Sequence, residues 1–359
     1  MLSACGTAPA GPGELTSSTS SAIYGGVEDT GSSQNDAVVA IKVGDGQTFE
    51  LCTGSLIAPN VVLTARHCVS VLNNTAINCD QNGNSLDDGP DVGGDQPLAS
   101  IHIFAGATPN LLGTPDANAA QLFHGQSTTI CNSDVALILL DKSITVAPPL
   151  RVRMSSPVLA SENVRAVGYG ANDQNVQIGT RFRRDDVSVL AVGSTVSASM
   201  TPLGSSEFEA SEAMCNGDSG GPAIDEKTGA VVGIVSRGGI TCTDTTGHVY
   251  TSLSSFQSLF EQAFAVAGGA PVDENAPPSG DGGGVGTDGG SSTGPGSPAG
   301  SSSGGTGYGN GYGGGQPLNL RAGQGNSCST SGTSGGGSSW LALIALGAVA
   351  MLRARRRLR

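Results

Sequence analysis

The chain has 359 residues, 37% of them hydrophobic, with 56 glycines and a formal net charge of −13. Five of its 17 basic residues fall in the last seven positions, so the rest is more acidic still; this excludes a nucleic-acid-binding surface and suits an extracellular protein. The glycines crowd the last quarter, which leaves one core-forming region, about 23–267, followed by a tail too poor in apolar residues to fold.

Residues 1–22 open with MLSACG. Leu2 to Cys5 resembles a bacterial lipobox, in which the cysteine becomes the lipid-bearing first residue, although the charged and apolar regions that normally precede one are missing. The rest of 1–22 reads as a propeptide.

From residue 23, short apolar runs such as DAVVAIKV, VVLTA, SIHIFAG, DVALILL, NVRAVGYG and AVVGIVS alternate with turns rich in Gly, Pro, Asn and Asp. That is an all-β pattern of antiparallel sandwiches or barrels. The first convincing long amphipathic stretch, FQSLFEQAFAVA (256–267), predicts a closing helix.

Three positions in this region carry the groups that acyl transfer needs: His67, Asp134 and Ser219. His67 lies in LTARHC after an apolar run and beside Cys68; Cys52 stands 16 residues before Cys68, and a bridge between the two would pin the histidine-bearing turn. Asp134 opens DVALILL, so its carboxylate sits at a strand entrance, where it could accept a hydrogen bond from Nδ1 of His67 and fix the tautomer. Ser219 lies in CNGDSGGP (215–222), and by itself a Gly-x-Ser-x-Gly match is a weak signal, because serines in glycine-rich loops are mostly solvated turn residues.

Eight cysteines point to an oxidising compartment. Cys5 and Cys328 fall outside the core-forming region. The other six, Cys52, Cys68, Cys79, Cys131, Cys215 and Cys242, make three bridges for which sequence alone permits about fifteen pairings. No Cys-x-x-Cys pair suggests a metal site.

With TARHC, DVALILL and GDSGGP in that order, the chain over about 23–267 resembles the chymotrypsin/trypsin family of serine proteases, with Arg66 where the family has alanine. The resemblance implies two packed antiparallel six-stranded β-barrels with a C-terminal helix, and a serine endopeptidase that hydrolyses protein or peptide substrates through an acyl-enzyme. It implies that His67 takes the Ser219 hydroxyl proton, that Asp134 stabilises the imidazolium, and that the N–H groups of Gly217 and Ser219 form the oxyanion hole. By the same resemblance Ser236, in GIVSRGG, supports Asp134, while Arg237 and Gly238 form the edge that pairs with substrate backbone; Arg237 stands where the family usually has an aromatic residue. IYGG (23–26) resembles the new amino terminus of activated members, so cleavage after Ala22 by an activating protease would free an ammonium at Ile23 to pair with Asp218.

The resemblance puts Ala213 at the base of the specificity pocket, with Met214 and Asn216 beside it, and so implies preference for a non-basic residue before the scissile bond. His248, in GHVYT, aligns near a pocket wall, and a packing or surface histidine is the plainer reading. Cys215 and Cys242 would bridge the pocket walls, which leaves Cys79 and Cys131 as a third pair that is not standard in the family. This pair would tie down an insertion in which DQNGNSLDDGPD (80–91) carries Asp80, Asn82, Asn84, Asp88 and Asp91 at roughly calcium-loop spacing, with Ser85 where the loop's glycine belongs. A plain acidic loop is the simpler expectation, and no cofactor is expected otherwise. His102 and His124 read as ordinary strand or loop residues.

Residues 268–339, nearly all Gly, Ser, Pro, Asp and Thr, form a linker with a root-mean-square reach of roughly 40 to 50 Å. In 340–359, WLALIALGAVAML is shorter than the roughly 20 apolar residues that span a bilayer and runs into RARRRLR. The order Cys328, short apolar helix, arginine cluster resembles the C-terminal surface-sorting signals of myxobacteria and their relatives. A protein at the outer surface of a bacterium, anchored or released after meeting sorting machinery, is therefore expected. Two rivals compete: a catalytically silent binding protein on the same fold, and an adhesin with a Gly/Ser stalk, which leaves the three motifs unexplained.

Overall fold

A computed structural model describes residues 23–276, except 32–33, 47, 75–76, 171–178, 212 and 239–246. The lipobox-like segment with Cys5, the pocket cysteine Cys242, the linker from 277 onward with Cys328, and the 340–359 tail lie outside the described residues. No helix among the described residues is long and apolar enough to cross a membrane.

Six strands close a first barrel: β1 (Val38–Val43), β2 (Glu50–Ala58), β3 (Val61–Thr64), β4 (Ile101–Phe104), β5 (Ala117–His124) and β6 (Ala136–Leu140). Each pairs antiparallel with its neighbours in the order β1-β2-β3-β6-β5-β4. The apolar runs made β1, β3, β4 and β6 legible, since β-branched side chains suit a pleated surface covered on both faces. β1, VVAIKV, is buried at all six positions. Its Lys42 satisfies the rule against lone buried charge by setting its ammonium over the Phe49 ring, 4.9 Å from the centroid, and donating to the carbonyls of Gly46 and Leu111, both at 3.1 Å.

A second barrel repeats the same order. Its strands are β7 (Asn163–Gly168), β8 (Phe182–Val192), β9 (Glu207–Ala210), β10 (Pro222–Asp225), β11 (Val231–Arg237) and β12 (His248–Ser252), hydrogen-bonded β7-β8-β9-β12-β11-β10 and closed by β10 against β7. The all-β class and the two six-stranded barrels expected from the resemblance are what the chain forms. β9, EFEA, is buried throughout, its two glutamates included.

Helix α1 (Gln257–Ala267) turns Leu259, Phe260, Ala263 and Phe264 inward, a spacing that lines one helical face, and packs on β5 and β6. The Asn60 side-chain amide donates to the last helical carbonyl, Ala267, at 3.1 Å. The ordered chain then continues past the boundary expected at 267. Val152 and the segment around Val272 to Glu274 exchange two backbone hydrogen bonds of 2.9 Å. Arg153 forks onto the Glu274 carboxylate at 2.7 and 2.8 Å and also meets Glu162 at 2.7 Å and Asp225 at 3.1 Å. A buried guanidinium needs carboxylate partners, and VDEN at 272–275 supplies what a Gly/Ser linker would not.

Candidate active site

His67 sits on a short 3-10 turn, Arg66–Cys68, immediately after β3. The disulfide Cys52–Cys68 ties that turn to β2, as the sequence suggested. The second described bridge joins Cys79 to Cys131, and Cys215 is also disulfide-bonded, its expected partner Cys242 lying outside the described residues. Arg66 is buried and donates to the Ser127 carbonyl; burial pushes its pKa down, against the pull of Asp95 and Asp134.

Asp134 lies just ahead of β6 with no exposed surface. One carboxylate oxygen accepts the His67 backbone N–H at 3.0 Å. The other meets His67 Nδ1 at 2.7 Å and accepts the Ser236 hydroxyl at 2.7 Å. Burial alone would raise the Asp134 pKa, but the charge on His67 and these hydrogen bonds outweigh it and hold the carboxyl below its usual range. Burial likewise opposes charge on His67, and Asp134 more than offsets it, so the imidazole pKa lies above its ordinary 6.5. With Nδ1 committed to the carboxylate, Nε2 is the nitrogen left to exchange a proton.

The loop bearing Ser219 docks on the first barrel through Thr53 of β2. Thr53 N–H donates to the Ser219 carbonyl at 2.8 Å, and its hydroxyl donates to the Gly217 carbonyl at 2.9 Å while accepting Tyr169 N–H at 3.1 Å. The Ser219 carbonyl lies 3.5 Å from Cys68 Sγ, so the serine stands beside the histidine turn. Gly220 makes that approach feasible: at φ +76° a Cβ would fall 2.1 Å from Thr64 Oγ1 and 2.5 Å from the Thr53 carbonyl. Gly217 has φ +96°. Among the described residues the N–H groups of Gly217 and Ser219 donate to no protein acceptor, whereas the intervening Asp218 N–H donates to Cys215 at 3.0 Å. These two amides, one on each side of Asp218, are the pair expected to meet an oxyanion. Sequence reasoning missed Thr53; the only signal was its position next to Cys52.

Asp218 is fully buried and accepts N–H groups from Gly170 at 2.9 Å and Cys215 at 2.8 Å. Burial outweighs both bonds and raises its pKa to about 8. Ile23 is fully buried in the core of the second barrel.

Of the expected pocket residues, Ala213 and Met214 are buried, and His248 is buried on β12 opposite Ala210 of β9. A methyl group added to Gly238 would lie 3.0 Å from Met214 Sδ and 3.8 Å from His248 Nδ1, so these three meet at one place. Asn216 is exposed. Arg237 ends β11 and turns its guanidinium onto Glu207 of β9.

The acidic loop is knitted to itself and to its neighbours. Asp80 accepts the backbone N–H groups of Asn82 at 2.9 Å and Asn84 at 2.8 Å, and their side-chain amides as well; these bonds, above all from Asn84, lower its pKa to about 2. Asp91 is buried and accepts the Ser85 and Thr129 hydroxyls and the Ile130 N–H, which ties the loop to the segment leading to Asp134. Asn82 and Asn84 thus turn amide donors towards Asp80. Among the described residues the cluster close enough to hold a metal is Cys52, His67 and Cys68, and two of these are joined in a disulfide. His102 bonds Asn118 across two strands and His124 meets Asp95, both at 2.8 Å.

The family model described as Trypsin matches residues 23–260. Kallikrein 1-related peptidase b22 of Mus musculus is 27% identical over 227 residues, covering 60% of this chain and 80% of that protein. Serine protease SP24D of Anopheles gambiae is 31% identical over 178 residues, covering 48% of this chain and 58% of that protein.

Proposed function

The chain belongs to the trypsin family of serine proteases and is a serine endopeptidase, and we propose that Ser219, His67 and Asp134 carry its chemistry. The observation that supports this best is the Asp134 carboxylate held at 2.7 Å from both His67 Nδ1 and the Ser236 hydroxyl. Ser219 Oγ attacks the substrate carbonyl as its proton passes to His67 Nε2. The oxyanion is met by the N–H groups of Gly217 and Ser219. His67 then returns the proton to the leaving amine, the C–N bond breaks, and water releases the acyl group by the reverse of the same steps. Asp134 stays ionised throughout.

Activation follows from the state of Asp218. Cleavage after Ala22 frees an ammonium at Ile23, and its pairing with the buried Asp218 carboxylate orders the loop that carries Gly217 and Ser219. The pocket of Ala213, Met214 and His248, with no carboxylate among these described residues, selects an uncharged side chain before the scissile bond, because an unpaired cation there costs several kcal/mol. The acidic composition, the three cysteine pairs and the sorting-like tail support secretion and display at a bacterial surface. Digestion of a peptide library by the full chain, activated at an enteropeptidase site placed before Ile23, tests the pocket. Cleavage after apolar residues is expected, and dominant cleavage after Lys or Arg would refute the assignment.

A further inference from the structure

Arg237 directly follows Ser236, the residue that bonds Asp134, at the end of the strand whose edge the family resemblance assigns to substrate backbone. A cation there would draw acidic residues of a peptide. It is instead turned away: the guanidinium grips both oxygens of the Glu207 carboxylate, one contact being 2.9 Å, and donates to the Pro202 carbonyl at 3.3 Å. Glu207 has no exposed side-chain surface and also accepts the N–H groups of Asn132 at 2.7 Å and Gly204 at 2.8 Å. Four donors from three segments fix this carboxylate, so the Arg237 charge is both neutralised and held in place.

Beyond the neutralised guanidinium lies a cleft of about 340 Å³ between the disulfide-tied insertion of the first barrel and a turn of the second. Ile77 and Leu86 line it from one side, Met200 and Pro202 from the other, and Val249 lies beside them. Leu86 and Met200 are large apolar side chains left 66% and 77% exposed at its lips. The Met200 turn is itself anchored by a buried acid, since the Glu209 carboxylate accepts the hydroxyls of Ser199 and Thr201 and the Gly247 N–H.

We propose that Glu207 is a specificity-determining residue: by withdrawing Arg237 from the substrate edge, it makes the Ile77–Leu86–Met200 cleft a subsite for an apolar side chain rather than an acidic one. This rests on the protease reading above and extends it to a second position of the peptide. Without the Glu207 charge, Arg237 loses its partner and swings towards the cleft it already lines, where an acidic substrate residue can pair with it.

The test uses the activated full chain and two peptide series with one optimal residue before the scissile bond, in which each of the next three upstream positions carries Leu or Glu. For the native chain, kcat/KM should favour Leu over Glu by about tenfold or more at one position, the range expected for an apolar pocket. In Glu207→Gln that ratio should fall at least tenfold at the same position through improved cleavage of the Glu peptide. The paired variant Glu207→Leu/Arg237→Leu, which removes both charges, should keep the Leu preference. A parallel loss on every peptide in Glu207→Gln, or an acidic gain in the paired variant, would overturn the proposal. Native hydrolysis without discrimination at any of the three positions would overturn it and leave the protease reading intact. Failure of the native chain to cut any peptide, with Ser219 unreactive to a fluorophosphonate, would overturn both.

Discussion

His67 must be neutral to accept the Ser219 proton, and Asp134 stabilises its charged form, so activity appears only as pH rises through an imidazole pKa lying above 6.5. A pH profile of kcat/KM should therefore show an acidic limb displaced upward from the ordinary imidazole value. Asp134→Asn removes the charge that raises this pKa and mispoints the ring: kcat should drop by about 10⁴-fold, with the remaining limb at lower pH. The residue types here were legible in the sequence, because TARHC, DVALILL and GDSGGP name their own chemistry. What those motifs did not show is the company each residue keeps. Thr53 reaches Gly217 across 164 residues and Glu207 reaches Asn132 across 75, and neither lies in any of the three motifs.

At the level of elements, the apolar runs gave away half the strands, including β1, β3, β6 and β11, since continuous burial needs continuous hydrophobicity. β9 hid itself: EFEA looks like an edge with its acids in water, yet all four residues are buried and each glutamate serves as an anchor. In the acidic insertion, Asp80 closes Asx turns onto Asn82 and Asn84, and Asp91 forms a buried clasp on Ile130. The contact between β2 and the Ser219 loop makes the clearest prediction at this scale. Thr53→Val strips the hydroxyl from the Gly217 carbonyl and the Tyr169 N–H, each such loss being worth about 1 kcal/mol or more where the partner is buried. kcat/KM should fall about tenfold while the fold persists by circular dichroism; an unchanged rate would show that the dock is not needed to shape the loop.

Across the whole molecule, the uncleaved chain holds a carboxyl at Asp218 whose pKa is lifted from 3.8 to about 8 by burial. Between those values the folded form keeps the proton and the unfolded form has lost it, so stability should decline as pH rises through the window and level off above it. Urea midpoints at about pH 5 and about pH 8.5 should thus differ more for the native uncleaved chain than for Asp218→Asn. Freeing Ile23 should shrink the difference, because an ammonium paired with the carboxylate removes the reason for protonation. Asp218→Asn should leave the cleaved protein largely inactive, and full activity in that variant would refute the activation scheme. The measurement that bears most directly on the central claim is the intact mass of the full chain, freed at Ile23, before and after exposure to a fluorophosphonate, with Ser219→Ala in parallel. A single adduct that the variant lacks is the predicted result; no adduct on a folded protein, or an equal adduct on Ser219→Ala, would contradict it.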